Sequence, residues 1–548
     1  MTFEARYPHG SASFAQPLDI HRAFKAKGGI PFGFYQGRKL YHSKGAGMLL
    51  IGGAGSGKFT TILSHIIGAP GRNGEPQRYA IFDPKRELRA VLEPYFASIK
   101  ARVYEVNPYA THGVQGHRLS ILSHLKAEST RLVADCRRAA QTFLPSTIGG
   151  DSQFFDQKGQ SWLDALMRGL MHMDGGVSPT SVYELIGMVR SQPAAWEEIA
   201  SIMASLGEPD LRVTYDEMLD MADESRRTFD SVMGGITNAM AFMNDPRLQA
   251  ALVATQSADF TLDVLCADSA DPVFVFFVMP PEVTQQNAAV IRQFFSTLRT
   301  LKQLAPDAPT LNLIIDEAAQ LGSFNEIADL YSVMRGYGLC PLCVYQDIGQ
   351  IHKNLGPTGA MTLSASADIE VYLGGGISDL ETARHLSAKL GTQTIEVADP
   401  LTQHRADRQM REAMHDALFG KGNAMRTGLA MKSLDYERGH QRKQARALMT
   451  PEEILGMSHT KSLVLASGYG LRPFLADKLP YFSQRQYTGL YAPNPYFDRD
   501  VSRITVPRRF GMKRSLRVIT EPVPAALTDH PQYQDGIWSF IEGHRPKI

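Results

Sequence analysis

Apolar residues follow two rhythms along this chain. Continuous runs stand at 47–51, 79–82, 273–278, 311–315 and 341–345, and a mixed run at 103–106 precedes Asn107-Pro108. Unbroken runs of this length predict strands buried on both faces of a parallel sheet. Between about 126 and 250 such runs disappear. Apolar spacing of three and four at 154–173 and 181–189 predicts helices there, with Ser181 and Glu184 as a capping box. Further helices are predicted at about 60–67 and 282–304. The fold class that follows is α/β with a parallel-rich central sheet, interrupted by an inserted all-α domain. The expected division is an N-terminal segment at 1–44, a first α/β part at 45–125, the helical insertion at 126–250, a second α/β part at 251–493 and a tail at 494–548. Residues 401–450 lack clean periodicity and carry ten Lys/Arg against five Asp/Glu, which predicts a basic, mobile loop. The tail is rich in Pro and Arg, with Arg508, Arg509, Lys513 and Arg514 clustered, and is expected to be extended and peripheral.

Bulk properties narrow this picture. At 548 residues the chain exceeds a single core. Its hydrophobic share of 43%, charged share of 21% and net charge of +1 are those of an ordinary globular protein, not of a polycation. Any nucleic-acid contact must therefore come from local or assembled basic groups. Four cysteines are too few for a disulfide framework and suit a reducing compartment. No apolar run approaches the ~20 residues of a membrane-spanning helix, and no signal peptide is evident, so a cytoplasmic location is expected.

The first run enters Gly52-Gly53-Ala54-Gly55-Ser56-Gly57-Lys58-Phe59-Thr60. This has the G-x-x-x-x-G-K spacing of a phosphate-binding loop, between a predicted strand and a predicted helix. Glycines let backbone amides face phosphates, and Lys58 would reach the β- and γ-phosphates of ATP. The hydroxyl residue that usually follows the lysine and binds Mg²⁺ is replaced by Phe59. The run at 311–315 ends in Asp316-Glu317. Taken alone, the pair is an ordinary solvated strand end. Beside a phosphate loop, Asp316 can hold Mg²⁺ and Glu317 can polarise the attacking water. Gln346 ends the next strand and can sense a γ-phosphate, while Arg335 has the character of an arginine finger acting on a neighbour. Either would pass as a surface residue by itself. Cys340 and Cys343 have redox or zinc spacing but lie on an apolar strand without a second ligand pair, and read as core cysteines.

These segments together resemble the conjugative type IV secretion coupling proteins, hexameric RecA/FtsK-like P-loop ATPases. The resemblance rests on the phosphate loop, Phe82-Asp83-Pro84-Lys85-Arg86-Glu87-Leu88, Asn107-Pro108, the stretch from Leu313 to Gly322 around Asp316-Glu317, Arg335-Gly336-Tyr337-Gly338, Tyr345-Gln346-Asp347, Leu386 to Gly391 and Ala447 to Ile454. It covers roughly residues 45–485. It implies a RecA-like motor split by a helical, cargo-recognising domain, with ATP and Mg²⁺ as cofactors. It implies Lys58, Glu317, Arg335 and Gln346 as catalytic residues, residues 52–60 as the nucleotide cradle and Asp316 as the metal ligand. The partners implied are DNA, a relaxase or effector protein cargo, type IV secretion channel components at the inner membrane and further copies in a homo-hexamer. Family members normally begin with transmembrane helices. This sequence starts almost directly at the motor, which implies that membrane attachment comes from a partner, placing it peripherally at the inner membrane, or is absent. Two alternatives stay open: a non-hydrolysing nucleotide-binding adaptor for the same cargo, and a soluble FtsK-like DNA translocase.

Overall fold

The computed structural model describes residues 7–146, 152–324, 326–398, 400–420, 432, 434, 441–497 and 501–548. In chain order the strands are β1 (Ile30–Tyr35), β2 (Arg38–His42), β3 (Gly47–Ile51), β4 (Arg78–Phe82), β5 (Arg102–Val106), β6 (Leu119–Ser120), β7 (Phe260–Thr261), β8 (Val273–Phe277), β9 (Leu311–Ile315), β10 (Leu339–Tyr345), β11 (Ala367–Leu373), β12 (Thr392–Ala398), β13 (Gln441–Ala447), β14 (Lys461–Ala466), β15 (Leu471–Asp477), β16 (Arg503–Pro507), β17 (Lys513–Pro522) and β18 (Ile537–Ile541). They belong to two compact units, one of Pro17–Ile377 with Ser458–Ile548, the other of Met1–Gln16 with Ser378–Met457.

The larger unit is organised by an eleven-stranded sheet in the order β2-β1-β15-β14-β11-β3-β10-β9-β4-β8-β5. From β11 to β5 every pairing is parallel. Strands β3, β4, β8, β9, β10 and β11 are buried at every position, which is why all but β11, with Asp368 and Glu370 in it, are largely apolar runs. From β11 outward to β2 the sheet turns antiparallel. The chain leaves β3 toward β4 on one side, and later passes from β10 over β3 to β11 on the other. The carboxyl end of β3 is therefore a switch point, where open α/β sheets hold ligands. Cys340 and Cys343 are buried in β10 with their thiols pushed up to about 12 by burial.

Helices Leu132–Phe143, Ser152–Asp174, Pro179–Ser191, Pro193–Leu206, Pro209–Glu224 and Arg226–Ala239 fill the stretch read as helical. The capping box sits three residues earlier than expected, on Ser178 and Ser181, with Pro179 in the first turn. The helix expected at 60–67 is instead one turn, Lys58–Thr61, followed by a tighter turn at Leu63–Ile66. The break falls at Ile62 (φ −124°, ψ −66°), after two threonines, where successive β-branched side chains weaken helix propagation. The helix expected at 282–304 breaks at Asn287 into Pro281–Thr284 and Ala288–Leu304.

Three further expectations are corrected. Residues 30–42, placed in an N-terminal segment, form strands β1 and β2 of the main sheet, with β2 at its edge. In the smaller unit, the expected loop at 401–450 is partly regular. Helix Pro400–Phe419 occupies its first part, and β13 pairs antiparallel with β12 from Thr392↔Ala447 to Ala398↔Gln441. Residues 421–431, 433 and 435–440 of that loop lie outside the described residues. The tail is not extended. Its strands form the antiparallel sheet β16-β17-β18, and Leu527, Tyr533, Trp538 and Phe540 bury a small core against Ala97.

Candidate functional site

Four neighbouring strands deliver polar residues to one edge. β3 opens into the glycine loop, β10 ends at Gln346, β9 ends at Asp316-Glu317 and β4 ends at Asp83. The loop is pinned on both sides: the Gly52 amide donates to Tyr345 O at 3.0 Å and the Gly53 amide to Gly376 O at 2.7 Å. A Cβ at Gly53 would lie 2.8 Å from Gly376 O, so only glycine fits this approach. Gly57 takes φ +82°, turning the chain into the short helix at Lys58. Ala54 and Gly55 are exposed at the loop crest.

Lys58 Nζ lies 3.0 Å from Glu317 Oε1, and Gln346 Nε2 donates to Glu317 Oε2 at 3.0 Å. Lys58 and Glu317 are 13% and 22% exposed, so the pair is shielded yet reachable from solvent. Glu317 adopts a left-handed backbone (φ 54°), and its amide donates to Asp316 Oδ1 at 3.1 Å. This kink separates the two carboxylates: Asp316 turns into the sheet edge and Glu317 toward the loop. Non-glycine residues held in this region carry backbone strain of about 1–3 kcal/mol and cluster at functional sites. Burial pushes the Asp316 carboxyl up to about 6, against the pull of Lys58.

Two residues join the site that motif reading left without a role. Asp83 is buried and accepts from the amides of Glu87 at 3.0 Å and Arg89 at 2.8 Å. Burial, with Asp316 adding repulsion, pushes its carboxyl up to about 7. Its position at the end of an apolar run was a readable signal. Lys478 is buried and donates to Ser56 O at 2.6 Å and Gly374 O at 2.8 Å, bracing the glycine loop from behind. Burial brings its amine down to about 8. A single lysine 422 positions downstream carries no local signal.

Phe59 packs edge-on against Tyr481 (5.9 Å, 81°) and shares a small cavity with Leu63, Ile81, Asp83 and Asp316. Thr61 is buried, and its hydroxyl donates to Gly57 O at 2.7 Å. The Thr60 hydroxyl reaches the same carbonyl at 3.4 Å. The Thr61 hydroxyl is thus turned away from the loop crest. Arg335 is not brought to this edge. It precedes β10, at the opposite end of the strand from Gln346, half exposed, with Nη1 3.4 Å from Asp368 Oδ1.

The donor set fits a polyphosphate. Lys58 supplies a cation, the loop supplies amides, and Ser56 Oγ is buried with no partner among the described residues. A magnesium ion fits on narrower grounds. No group of three or more His, Cys, Asp or Glu that could hold a metal occurs among the described residues. One carboxylate such as Asp316 suffices only where phosphates and waters complete the shell, which is the usual manner of Mg²⁺.

Comparison with known proteins decides the relationship. The model of the family described as "Type IV secretory system Conjugative DNA transfer" matches residues 16–414. The chain belongs to this family. The type IV secretion system-coupling protein VirD4 of Bartonella quintana (strain Toulouse) is 25% identical over 174 residues, which is 32% of this chain and 22% of that relative. VirD4 of Bartonella henselae is 25% identical over 178 residues, with the same shares. The chain thus matches less than a quarter of the length of these relatives. Among solved structures, plasmid coupling protein TrwB in complex with the ATP analogue ADPNP superposes with a TM-score of 0.59 at 16% identity, over 86% of this chain and 96% of that one. Unbound TrwB gives 0.57 over the same shares. These likenesses show the fold, an α/β sheet with a helical region, to be that of the coupling-protein structures.

Proposed function

We propose that this chain is an ATPase that couples nucleotide hydrolysis to delivery of a relaxase–DNA or effector substrate into a type IV secretion channel. The observation that carries the proposal is the Lys58–Glu317–Gln346 chain at the glycine loop, with Asp316 beside it. Family membership supports it, as do the structures of TrwB solved in complex with ADPNP and with ADP and Mg²⁺.

In this reading residues 52–60 cradle the phosphates, with loop amides and the Ser56 hydroxyl as donors. Lys58 exchanges Glu317 for phosphate oxygens. Released from Lys58, Glu317 accepts the proton of the attacking water, and Gln346, bonded to the same carboxylate, orients it. Asp316 would hold Mg²⁺, which would supply charge neutralisation of the phosphates. Phe59 is a packing residue, so it offers no hydroxyl to the ion, which Asp316 would hold. Arg335 acts only on the nucleotide of a neighbouring copy, since within its own chain it sits at the far end of β10. A homo-hexamer satisfies that requirement and gathers modest basic charge around sequence-tolerant DNA. The helices of 126–250 recognise cargo, and peripheral inner-membrane placement comes with the secretion partners.

The test is ATP turnover by the purified chain, with and without DNA, beside a Lys58→Ala control. DNA-stimulated turnover that vanishes in the control is the expected result. ATP binding without turnover in any condition would replace the motor by the adaptor reading.

A further inference from the structure

The β16–β17 hairpin lies beyond the stretch matched by the family model and takes no part in the nucleotide site. Residues 501–517 carry six Lys/Arg and no Asp or Glu. The inner face of the hairpin is ordinary core: Ile504, Val506 and Leu516 are buried, and Tyr491 donates to Thr505 O at 2.9 Å. The outer face is not. Arg503 pairs directly across from Arg517 and Lys513 stands opposite Pro507, with all three cations exposed; Arg508 and Arg509 toward the tip, and Arg514 opposite Val506, are exposed as well. Like charges opposite one another destabilise a two-stranded ribbon. None of the six forms an ion pair among the described residues; Arg503 Nε donates only to Ser515 Oγ at 3.2 Å.

The tip adds a second feature. Phe510 and Gly511 both take positive φ (58° and 72°), the conformation of a type I′ turn. Asn-Gly is the usual choice there, whereas Phe510 carries the left-handed cost of about 1–2 kcal/mol. Its side chain is 96% exposed, and that of Met512 is 57% exposed. Folding of this chain gains nothing from either placement.

We propose that this hairpin docks tip-first on an anionic phospholipid bilayer. Phe510 and Met512 enter the boundary between headgroups and acyl chains, and the surrounding cations meet lipid phosphates. A basic collar with an apolar insertion supplies the two signals that reversible membrane attachment needs. The charge would suit a nucleic acid equally, but the tip separates the two. A single strand on the basic face can stack a base on Phe510, but Met512 offers no aromatic face and stays in water. Only the bilayer takes up both side chains. The inference is independent of ATP chemistry, since no residue of the nucleotide site enters its test.

The experiment is sedimentation of the full chain with vesicles of phosphatidylcholine alone or mixed with phosphatidylglycerol. Binding only to the anionic vesicles, weakened by salt, is expected. Replacing Arg508, Arg509, Lys513 and Arg514 together by Ser is expected to weaken it on the order of a hundredfold or more, from the roughly fivefold worth of each cation near a charged surface. Phe510→Ser with Met512→Ser is expected to weaken it about tenfold and to leave binding to single- and double-stranded DNA unchanged. A Phe510→Trp chain tests insertion without relying on loss, because Trp162, Trp196 and Trp538 are buried. Its emission is expected to shift to the blue with anionic vesicles. Equal binding to both vesicle types, an unshifted tryptophan, or loss of DNA binding with vesicle binding intact would each overturn the proposal, the last in favour of a nucleic-acid surface.

Discussion

At the carboxyl edge of the main sheet, Lys58, Glu317 and Gln346 meet within 3.0 Å, whereas at the amino edge Arg335 reaches only Asp368, at 3.4 Å and half exposed. One edge is internally paired. The other presents a cation with room for another partner. Their acids and bases also differ in sign. Burial raises Asp83 to about 7 and Asp316 to about 6 at the carboxyl edge. At the amino edge it lowers His42 to about 4, and Arg335 pushes it further down against Asp368 and the hydrogen bond to Ala46 O. The difference teaches that the sheet concentrates negative charge where a cation-bearing phosphate would sit, and keeps its spare positive charge at the far end.

The sharpest way to break this comparison is Arg335→Ala. If the amino edge serves a neighbour, turnover falls by roughly 10³-fold or more with nucleotide affinity kept. Mixing that chain with inactive Lys58→Ala restores part of the activity, since each supplies what the other lacks. Mixtures no more active than their components would remove Arg335 from catalysis. Glu317→Gln comes next, with a loss on the order of 10²–10⁴-fold in turnover and intact binding of an ATP analogue, read by single-turnover kinetics. Lys478→Met leaves Ser56 O and Gly374 O without their buried donor. At about 1–3 kcal/mol for each such group, the expected result is weaker nucleotide binding and a lower unfolding midpoint, by titration and thermal denaturation. Phe59→Ser is expected to change turnover by less than about tenfold if, as proposed, Asp316, phosphates and water would hold the ion. A larger gain would mean that the missing hydroxyl limits the natural chain.

The smallest effect concerns pH. The ordinary value for His42 is 6.5 and its folded value about 4, so the unfolded chain takes the proton first. The contribution of His42 to stability is complete above about pH 6.5 and is lost as pH falls toward 4, at up to about 1.4 kcal/mol per pH unit. His65 and His124, both lowered to about 3 by burial, act in the same direction. Asp83 acts oppositely: its contribution is complete below its ordinary 3.8 and declines as pH rises to about 7. His42→Asn is expected to flatten part of the acid slope in denaturant titrations between pH 6.5 and 4, and an unchanged slope would locate it elsewhere.

What could be read from the residues follows their burial. Strands β3, β4, β8, β9 and β10 are enclosed on both faces and wrote themselves as apolar runs, so the split parallel core and the polar residues at its strand ends were legible. Strand β13, Gln-Arg-Lys-Gln-Ala-Arg-Ala, contains little apolar signal, and helix Pro400–Phe419 leaves Met414, Leu418 and Phe419 exposed. Both were therefore read as loop. In the tail, the alternation of Ile504 and Val506 with Arg503 and Thr505 was present but masked by the Pro and Arg content. The contact of Lys58 with Glu317 was expected only as proximity; their direct pairing depends on the left-handed turn at Glu317, which no residue pattern announces.

The bracing of the glycine loop by Lys478 has a consequence for how the chain comes off the ribosome. The loop strand β3 is made early, yet its two sheet neighbours, β10 and β11, lie some three hundred positions later, and the lysine that fixes the loop carbonyls follows 422 positions after Ser56. Contacts of such separation form late. A nascent chain therefore carries the phosphate-binding motif through some four hundred further positions without the frame that gives the motif its shape. Nucleotide competence arrives only after Lys478 has emerged, long after the motif itself.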